Sequence, residues 1–246
     1  MLHLTFLGTR GEIKTRTELH QWHTSLLIRS RGKKIMVDCG LDWKNKVHEI
    51  KPDVIVITHA HPDHAGGLEG WNDCPVYAPM RTWNVLRTLR WIGGLAKENQ
   101  HVISLQRKVT LYGVSFEAFA IEHSTRAPAV GFRITSGNSR IWYSPDVLEI
   151  PDVERVLKNV QVYIGDGAGI TRSIVHAPGG IKVGHASIKA ELEWCRRSHV
   201  PRAILTHCGS EIVTSPAGGA EAKVARLGKQ AGVESGIAHD GEELTF

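Results

Sequence analysis

Short runs of β-branched and alternating apolar residues recur along the chain, and six of them end at a side chain that can bind a metal ion. Runs of four to six such residues, bounded by Gly, Pro and polar clusters, are typical of β-strands. If these strands lie in packed sheets, their carboxyl ends meet at one rim. We therefore predict a shared site formed by Asp38, His59, His123, Asp146, Asp166 and His207.

Apolar residues at helical spacing predict four helices between these runs. After Ser187, the residues Ile188, Leu192 and Cys195 recur at i, i+4 and i+7. Strands followed by helices in both halves indicate an α/β protein whose helices cover sheets. The other three helices are predicted to start at Ser215–Pro216 and run to Gly232, to start at Pro151–Asp152, and to run from Met80 to Leu95.

The composition is that of a folded globular chain. Of the 246 residues 41% are apolar and 22% are charged, which excludes a disordered or collagen-like protein. No linker-like stretch divides the sequence, so we expect residues 1–246 to form one domain. No apolar run approaches the roughly 20 residues of a membrane span, and the start lacks a signal-peptide pattern. A cytoplasmic protein without a membrane partner is expected, with four free thiols because no CxxC pair occurs.

The charge pattern gives a weaker indication than the histidine content. A formal net charge of +5 favours anionic partners without indicating nucleic acid. The fourteen histidines matter more, since His is the commonest metal ligand and a near-neutral acid or base. A basic segment over residues 81–108 either recruits phosphate esters or is a solvated helix face. Its basic residues are Arg81, Arg87, Arg90, Lys97, Arg107 and Lys108.

The most specific motif is the segment 58–67, which follows the apolar strand VIVI. His59, His61, Asp63 and His64 place four ligand-type side chains within six residues. His59 and His61 alternate in an extended loop and can share one ion, whereas Asp63 and His64 turn toward a second position. This spacing suits two adjacent divalent metal ions, which take nitrogen and carboxylate ligands.

With this HxHxDH motif the sequence resembles the metallo-β-lactamase superfamily over nearly its whole length. The resemblance implies a four-layer α/β/β/α sandwich with a di-metal site, usually zinc, with manganese(II) or iron(II) as alternatives. His123 resembles the third histidine of the first metal, Asp146 the bridging carboxylate and His207 the last histidine of the second metal. His101 and His20 are alternative candidates for the third histidine ligand. Asp146 could instead be a residue of a turn.

Within the superfamily the sequence resembles the phosphodiesterase branch. His123 is followed by Gly131-Phe132-Arg133, and His185 lies where those enzymes carry a histidine that contacts the scissile phosphate. The resemblance implies catalytic roles for Asp63, which steers the nucleophile, and for His185, which donates to the departing oxygen. A helix-capping histidine is the alternative for His185.

The expected substrate is a small cyclic or nucleotide-like phosphodiester. The opening glycine turn at residues 8–13 departs from the family pattern, and no long insertion supplies a tRNA-binding arm, so nucleic acid is less favoured. Lactone, ester or thioester hydrolysis at the same site is the rival activity, and a non-catalytic metal sensor is the alternative from another class. Arg172 and His176 flank a glycine-rich turn that is a candidate loop over the metals. The sequence is compatible with a homodimer and does not define the oligomeric state.

Overall fold

Most of the predicted strands belong to two seven-stranded sheets in the computed structural model, which describes residues 2–71, 73–89 and 91–246. In the first sheet β3 to β6 run parallel to one another. In the order of hydrogen bonding, its strands are β16 (Glu243–Thr245), β1 (His3–Gly8), β2 (Ser25–Ser30), β3 (Lys33–Val37), β4 (Val54–Val56), β5 (Val76–Pro79) and β6 (Gln100–Ile103).

The second sheet repeats this mixed pattern, with a parallel half built from β10, β11, β14 and β15. A separate two-stranded hairpin consists of β12 (Ile174–His176) and β13 (Val183–His185). In order, the strands of the second sheet are β15 (Glu234–Ile237), β14 (Arg202–Thr206), β11 (Val162–Asp166), β10 (Ser139–Tyr143), β9 (Ala129–Ser136), β8 (Val114–Ile121) and β7 (Lys108–Leu111).

Alternation along the strands divides the apolar residues between an inner and an outer core. On β8, Phe116 and Ala118 belong to the cluster shared with the first sheet, whereas Phe119 and Ile121 belong to the cluster on the opposite face. The inner cluster contains residues of both sheets, such as Phe6 and Phe132, so the sheets pack face to face.

Helices cover the outer faces, and this completes the predicted α/β/β/α sandwich. Trp83 and Leu86 of α3 pack on the first sheet, while Leu192 of α5 and Val224 of α7 pack on the second. The buried Trp83 is therefore a core residue. The helices are α1 (Val47–Ile50), α2 (Pro62–Ala65), α3 (Met80–Thr88), α4 (Val153–Val156), α5 (Ile188–Arg197), α6 (Ser210–Val213) and α7 (Gly219–Ala231).

Two predicted helix boundaries are wrong. The last helix begins at Gly219 rather than at Ser215–Pro216, because Gly218 takes a left-handed φ of 76° and ends the preceding turn. The helix predicted from Met80 to Leu95 ends at Thr88. The prediction for the helix after Ser187 is confirmed, and the Ser187 side chain accepts the Ala190 N–H.

The described residues contain no helix that is long and apolar enough to cross a membrane. The four cysteines are buried free thiols, as predicted.

Candidate metal centre

The seven predicted metal ligands converge at the edge where the parallel strands of the two sheets end. They form two groups, and within each group the potential ligand atoms lie within 4.8 Å of one another. This division matches the one expected for the HxHxDH motif, while the role of each residue as a ligand stays a prediction. The first group is His59, His61, His123 and Asp146, and the second is Asp63, His64, Asp146 and His207.

The carboxylate of Asp146 lies between the two groups and presents one oxygen to each. Its Oδ2 lies 3.7 Å from His59 Nε2 and 3.4 Å from His123 Nε2. Its Oδ1 lies 3.0 Å from His64 Nε2 and 3.2 Å from His207 Nε2. A carboxylate placed in this way has the geometry to bridge two cations.

The three histidines of the first group direct their ring nitrogens at one another. His61 Nδ1 lies 3.0 Å from His59 Nε2 and 3.2 Å from His123 Nε2. Burial lowers the pKa of His59 well below 6.5 and that of His61 to about 4. Burial also lowers the pKa of His123. These rings are therefore neutral at pH 7, and their nitrogen lone pairs are available to a cation.

Two buried atoms of the second group test whether the site fits a metal ion. His64 Nε2 and Asp146 Oδ1 have no hydrogen-bond partner among the described residues, although they lie 3.0 Å apart. An unsatisfied buried polar group costs about 1–3 kcal/mol, and a cation bound by both atoms would remove that cost. Nitrogen and carboxylate donors suit zinc and also manganese(II) or iron(II). The residues present therefore fit a pair of divalent cations.

Carboxylates in and beside the second group change its proton balance. Burial lowers the pKa of His207, but the charge of Asp146 and the nearby carboxylates of Asp166 and Asp63 outweigh it and raise the pKa to about 10. The charges of Asp146 and Asp63 likewise outweigh burial and raise the pKa of His64 well above 6.5. Without a cation, protons on these two rings balance the buried acids.

The loop that carries the motif is held by Asp38 at the end of β3. Its carboxylate accepts the Thr58 N–H at 2.8 Å and the His64 Nδ1–H at 2.9 Å, which directs His64 Nε2 toward the metal centre. Asp38 has a left-handed φ of 62°, a conformation that is uncommon outside glycine. At Gly40 a Cβ would lie 2.0 Å from the Asp63 carbonyl oxygen, so only glycine permits this close approach.

His185 lies beside both groups, at the end of β13. Its Nδ1–H donates to Asp166 Oδ2 at 2.7 Å, and its ring centroid lies 4.9 Å from that of His123 and 5.4 Å from that of His207. The helix-cap alternative for His185 is wrong, because Ser187 caps α5.

Asp166 interacts with two histidine rings and with the backbone of the site. Its carboxylate and ring nitrogens of His185 and His207 lie within 4.8 Å of one another. Its contact with His185 is a short hydrogen bond, and His207 Nδ1 lies 3.7 Å from its Oδ1. Asp166 Oδ2 also accepts the Val147 N–H at 2.9 Å. We therefore interpret Asp166 as the carboxylate that orients the His185 ring and places a negative charge beside His207.

A cavity of about 630 Å³ opens over the two groups. His61, His123, His185 and His207 line its floor, and Arg172 and His176 lie in its wall, so the segment around the glycine-rich turn does border the site. Within the described residues, none of the basic side chains of 81–108 lines this cavity. Arg90 lies outside the described residues.

A buried ion pair beside the cavity was missed by sequence reasoning. Arg10 is 2% exposed, contacts the Asp42 carboxylate and donates to the Gly11 carbonyl at 3.2 Å. Gly11 and Glu12 line the cavity, so Arg10 holds this part of its wall in place. A single arginine in an irregular loop gives no periodic signal, and only its departure from the family's opening turn drew attention to it.

The chain is similar to known proteins in family, sequence and fold. The family model described as a beta-lactamase superfamily domain matches residues 33–208. The chain is 30% identical over 115 residues to exodeoxyribonuclease WalJ of Streptococcus pneumoniae serotype 2, covering 42% of this chain and 43% of the relative. It is 30% identical over 142 residues to ribonuclease Z of Lachnospira eligens, covering 50% and 46%. The matches thus span less than half of each relative.

Solved structures match over almost the whole chain. A diphosphatase from the PhnP family superposes with a TM-score of 0.74 at 20% identity, covering 100% of this chain and 98% of that one. Zn²⁺-bound PqqB from Methylobacterium extorquens gives a TM-score of 0.77 at 15% identity, covering 99% and 100%. At these identities the likeness establishes the fold.

Proposed function

The chain belongs to the β-lactamase superfamily, and from this membership we propose that it is a metal-dependent phosphodiesterase. Its proposed substrates are small cyclic or nucleotide-like phosphodiesters. The relatives named exodeoxyribonuclease and ribonuclease Z, and the structural neighbour named diphosphatase, support a reaction at phosphorus. A cavity of about 630 Å³ suits a ligand of nucleotide size.

The observation that carries the proposal is the position of His185 beside, and outside, the two ligand groups. Its Nδ1 is used by Asp166, so Nε2 is the atom left to face the cavity. Burial lowers the pKa of His185, but the charge and hydrogen bond of Asp166 outweigh it and the pKa is raised. A protonated imidazole held in this way is suited to donate a proton to the departing oxygen of a phosphodiester.

Each ligand group is proposed to bind one divalent ion. His59, His61 and His123 would hold one divalent ion, His64 and His207 the other, and Asp146 would bridge them. Bound ions supply Lewis acidity, which polarises phosphoryl oxygens and lowers the pKa of water toward neutrality. Asp63, 3.1 Å from His207 Nε2, would hold the second ion and accept a hydrogen bond from the attacking water. Zinc is the proposed metal, with manganese(II) or iron(II) as alternatives.

The test is metal analysis of the purified protein followed by a substrate screen. The screen contains bis-p-nitrophenyl phosphate, 2′,3′-cyclic nucleotides, short DNA and RNA oligonucleotides, lactones and thioesters. We expect two divalent ions per chain and the highest kcat/KM on a small diester. Preferential turnover of lactones or thioesters would overturn the proposal, and so would two bound ions without turnover of any substrate, the result expected of a metal sensor. Faster turnover of oligonucleotides than of small diesters would show that the substrate is nucleic acid and would overturn the proposed substrate class.

A further inference from the structure

A second cavity, of about 550 Å³, lies next to the metal-centre cavity between the edges of the two sheets. We call it the side groove. Ser124 lines both cavities and directly follows His123 of the first ligand group. The side groove is lined by the start of α3, the end of β6, the end of β8 and the segment that precedes β9, with Met80, Arg81, Val102, Leu105, Glu122 and Pro128 among the lining residues.

Three large apolar side chains are exposed together in the side groove. Met80 is 50% exposed, Val102 41% and Leu105 42%. They come from three different segments, namely the first residue of α3, the edge strand β6 and the loop that follows it. Clustered exposed apolar surface on a folded protein marks a binding surface more often than a scattered residue does.

The balanced charge of the side groove favours a ligand other than a nucleic acid backbone. Arg81 and Glu122 are the cation and the anion of the lining, so their charges offset each other. A groove that follows a nucleic acid backbone needs several unopposed cations. An aryl or alkyl group gains free energy from an apolar lining without any such requirement.

We propose that the side groove binds the apolar substituent of a phosphodiester whose phosphate lies at the metal centre. The inference rests on the proposed function and makes it more specific: the substrate is a diester in which one ester group is aryl or alkyl. Such a group has only to pass Ser124, a single residue beyond His123, to leave one cavity and enter the other.

The test uses a series of O-alkyl methylphosphonates, from methyl to hexyl, as ligands, with phosphorus NMR to verify that each compound stays intact during the titration. Calorimetric titration of the zinc-loaded protein should show affinity rising about three- to fourfold for each methylene that enters the groove. The double variant Val102→Ser with Leu105→Ser should flatten this rise and leave the affinity for the methyl compound unchanged. Leu89→Ser, at an apolar residue that is 40% exposed and outside the groove lining, is the matched control and should retain the full rise.

Other results overturn the inference. An equal rise in the parent and the double variant, or no rise in the parent, rejects the side groove as a substrate subsite. Dissociation of a dimer by the double variant, seen by analytical ultracentrifugation, would instead assign the groove to a contact between two copies. Failure of the proposed function is distinguishable: it leaves diesters unhydrolysed whether or not the phosphonates bind.

Discussion

At the scale of single residues, Asp146 is the side chain on which both halves of the metal centre depend. The two oxygens of Asp146 face different groups. We therefore expect Asp146→Ala to weaken binding of the second ion and to abolish nearly all hydrolysis at saturating substrate. His64→Ala removes a donor from the second group alone and should leave one ion with slow residual turnover. Metal counting on purified variants decides this. Two ions and parental turnover in Asp146→Ala would make Asp146 a turn residue.

His185 provides a second prediction at this scale, in which chemistry is separated from metal binding. His185→Ala should retain both ions and lower kcat on diesters by about 10²-fold or more, since the side chain acts on the leaving group. As an acid, His185 must be protonated, so kcat falls as pH rises through its raised pKa. In Asp166→Asn the raising influence is lost, and this alkaline limb should move to lower pH. A pH profile of kcat that is identical in parent and Asp166→Asn would contradict the assignment.

Most residues of the candidate site could be predicted from the residue types at the strand ends. The backbone conformation at these positions could not be predicted. The six strand-terminal side chains were identified because metal-ligating residues rarely follow so many apolar runs by chance. The left-handed φ of 53° at His207 follows from how the chain turns after β14, which no side-chain pattern reports. Asp166 was predicted as one of these strand-end side chains but without a defined role, because its contact with His185 joins positions that are distant in sequence.

At the scale of elements, the β12–β13 hairpin connects a proposed ligand to the proposed acid. Gly184 in β13 donates its N–H to the His123 carbonyl at 2.8 Å, and its own carbonyl lies 3.0 Å from His123 Nδ1. Its φ is +131°, and a Cβ there would lie 1.9 Å from the Ile174 carbonyl oxygen. The sequence indicated a glycine-rich loop here. It could not indicate the pairing of Gly184 with His123, because that pairing is a contact between separate elements.

We therefore expect Gly184→Ala to force the two hairpin strands apart. The free energy of unfolding should fall by about 1–3 kcal/mol, and kcat should fall because His123 and His185 lose their common support. Gly236→Ala in β15 is the control, since its Cβ would meet no atom within 4 Å and its φ is ordinary. Urea denaturation and diester kinetics on both variants provide the measurements. Parental stability and kcat in Gly184→Ala would show that the hairpin position is unimportant.

At the scale of the whole molecule, two half-parallel sheets face each other and bring their strand ends to one edge. Asp38 and His59 come from the first sheet, and Asp146 and His207 come from the second, so the centre exists only when the two sheets pack. Hydrophobic alternation made the strands and the α/β class predictable, whereas the four-layer sandwich was implied by the resemblance to the metallo-β-lactamase superfamily. Helix boundaries were less predictable, because Gly218 and the end of α3 at Thr88 depend on local turns.

This packing gives the two groups different proton affinities, which predicts how metal binding responds to pH. Histidine binds a cation only when deprotonated. Burial lowers the pKa of His59 and His61, so the first group gives up no proton at pH 7. The pKa of His207 is raised to about 10 and that of His64 is also raised, so filling the second group displaces up to two protons.

Zinc affinity of the second group should consequently rise about tenfold per pH unit for each proton displaced, whereas that of the first group changes much less with pH. Calorimetric titration of chelated, metal-free protein in buffers of different ionisation enthalpy counts the protons. Near pH 6 one ion should bind tightly, and near pH 8 two should. His64→Ala, which should bind the first ion only, should lose the proton release of the second group. Two sites of equal affinity with no proton release at pH 7 would show that these histidines are already neutral before zinc arrives, and the charge balance derived from the buried carboxylates would be wrong.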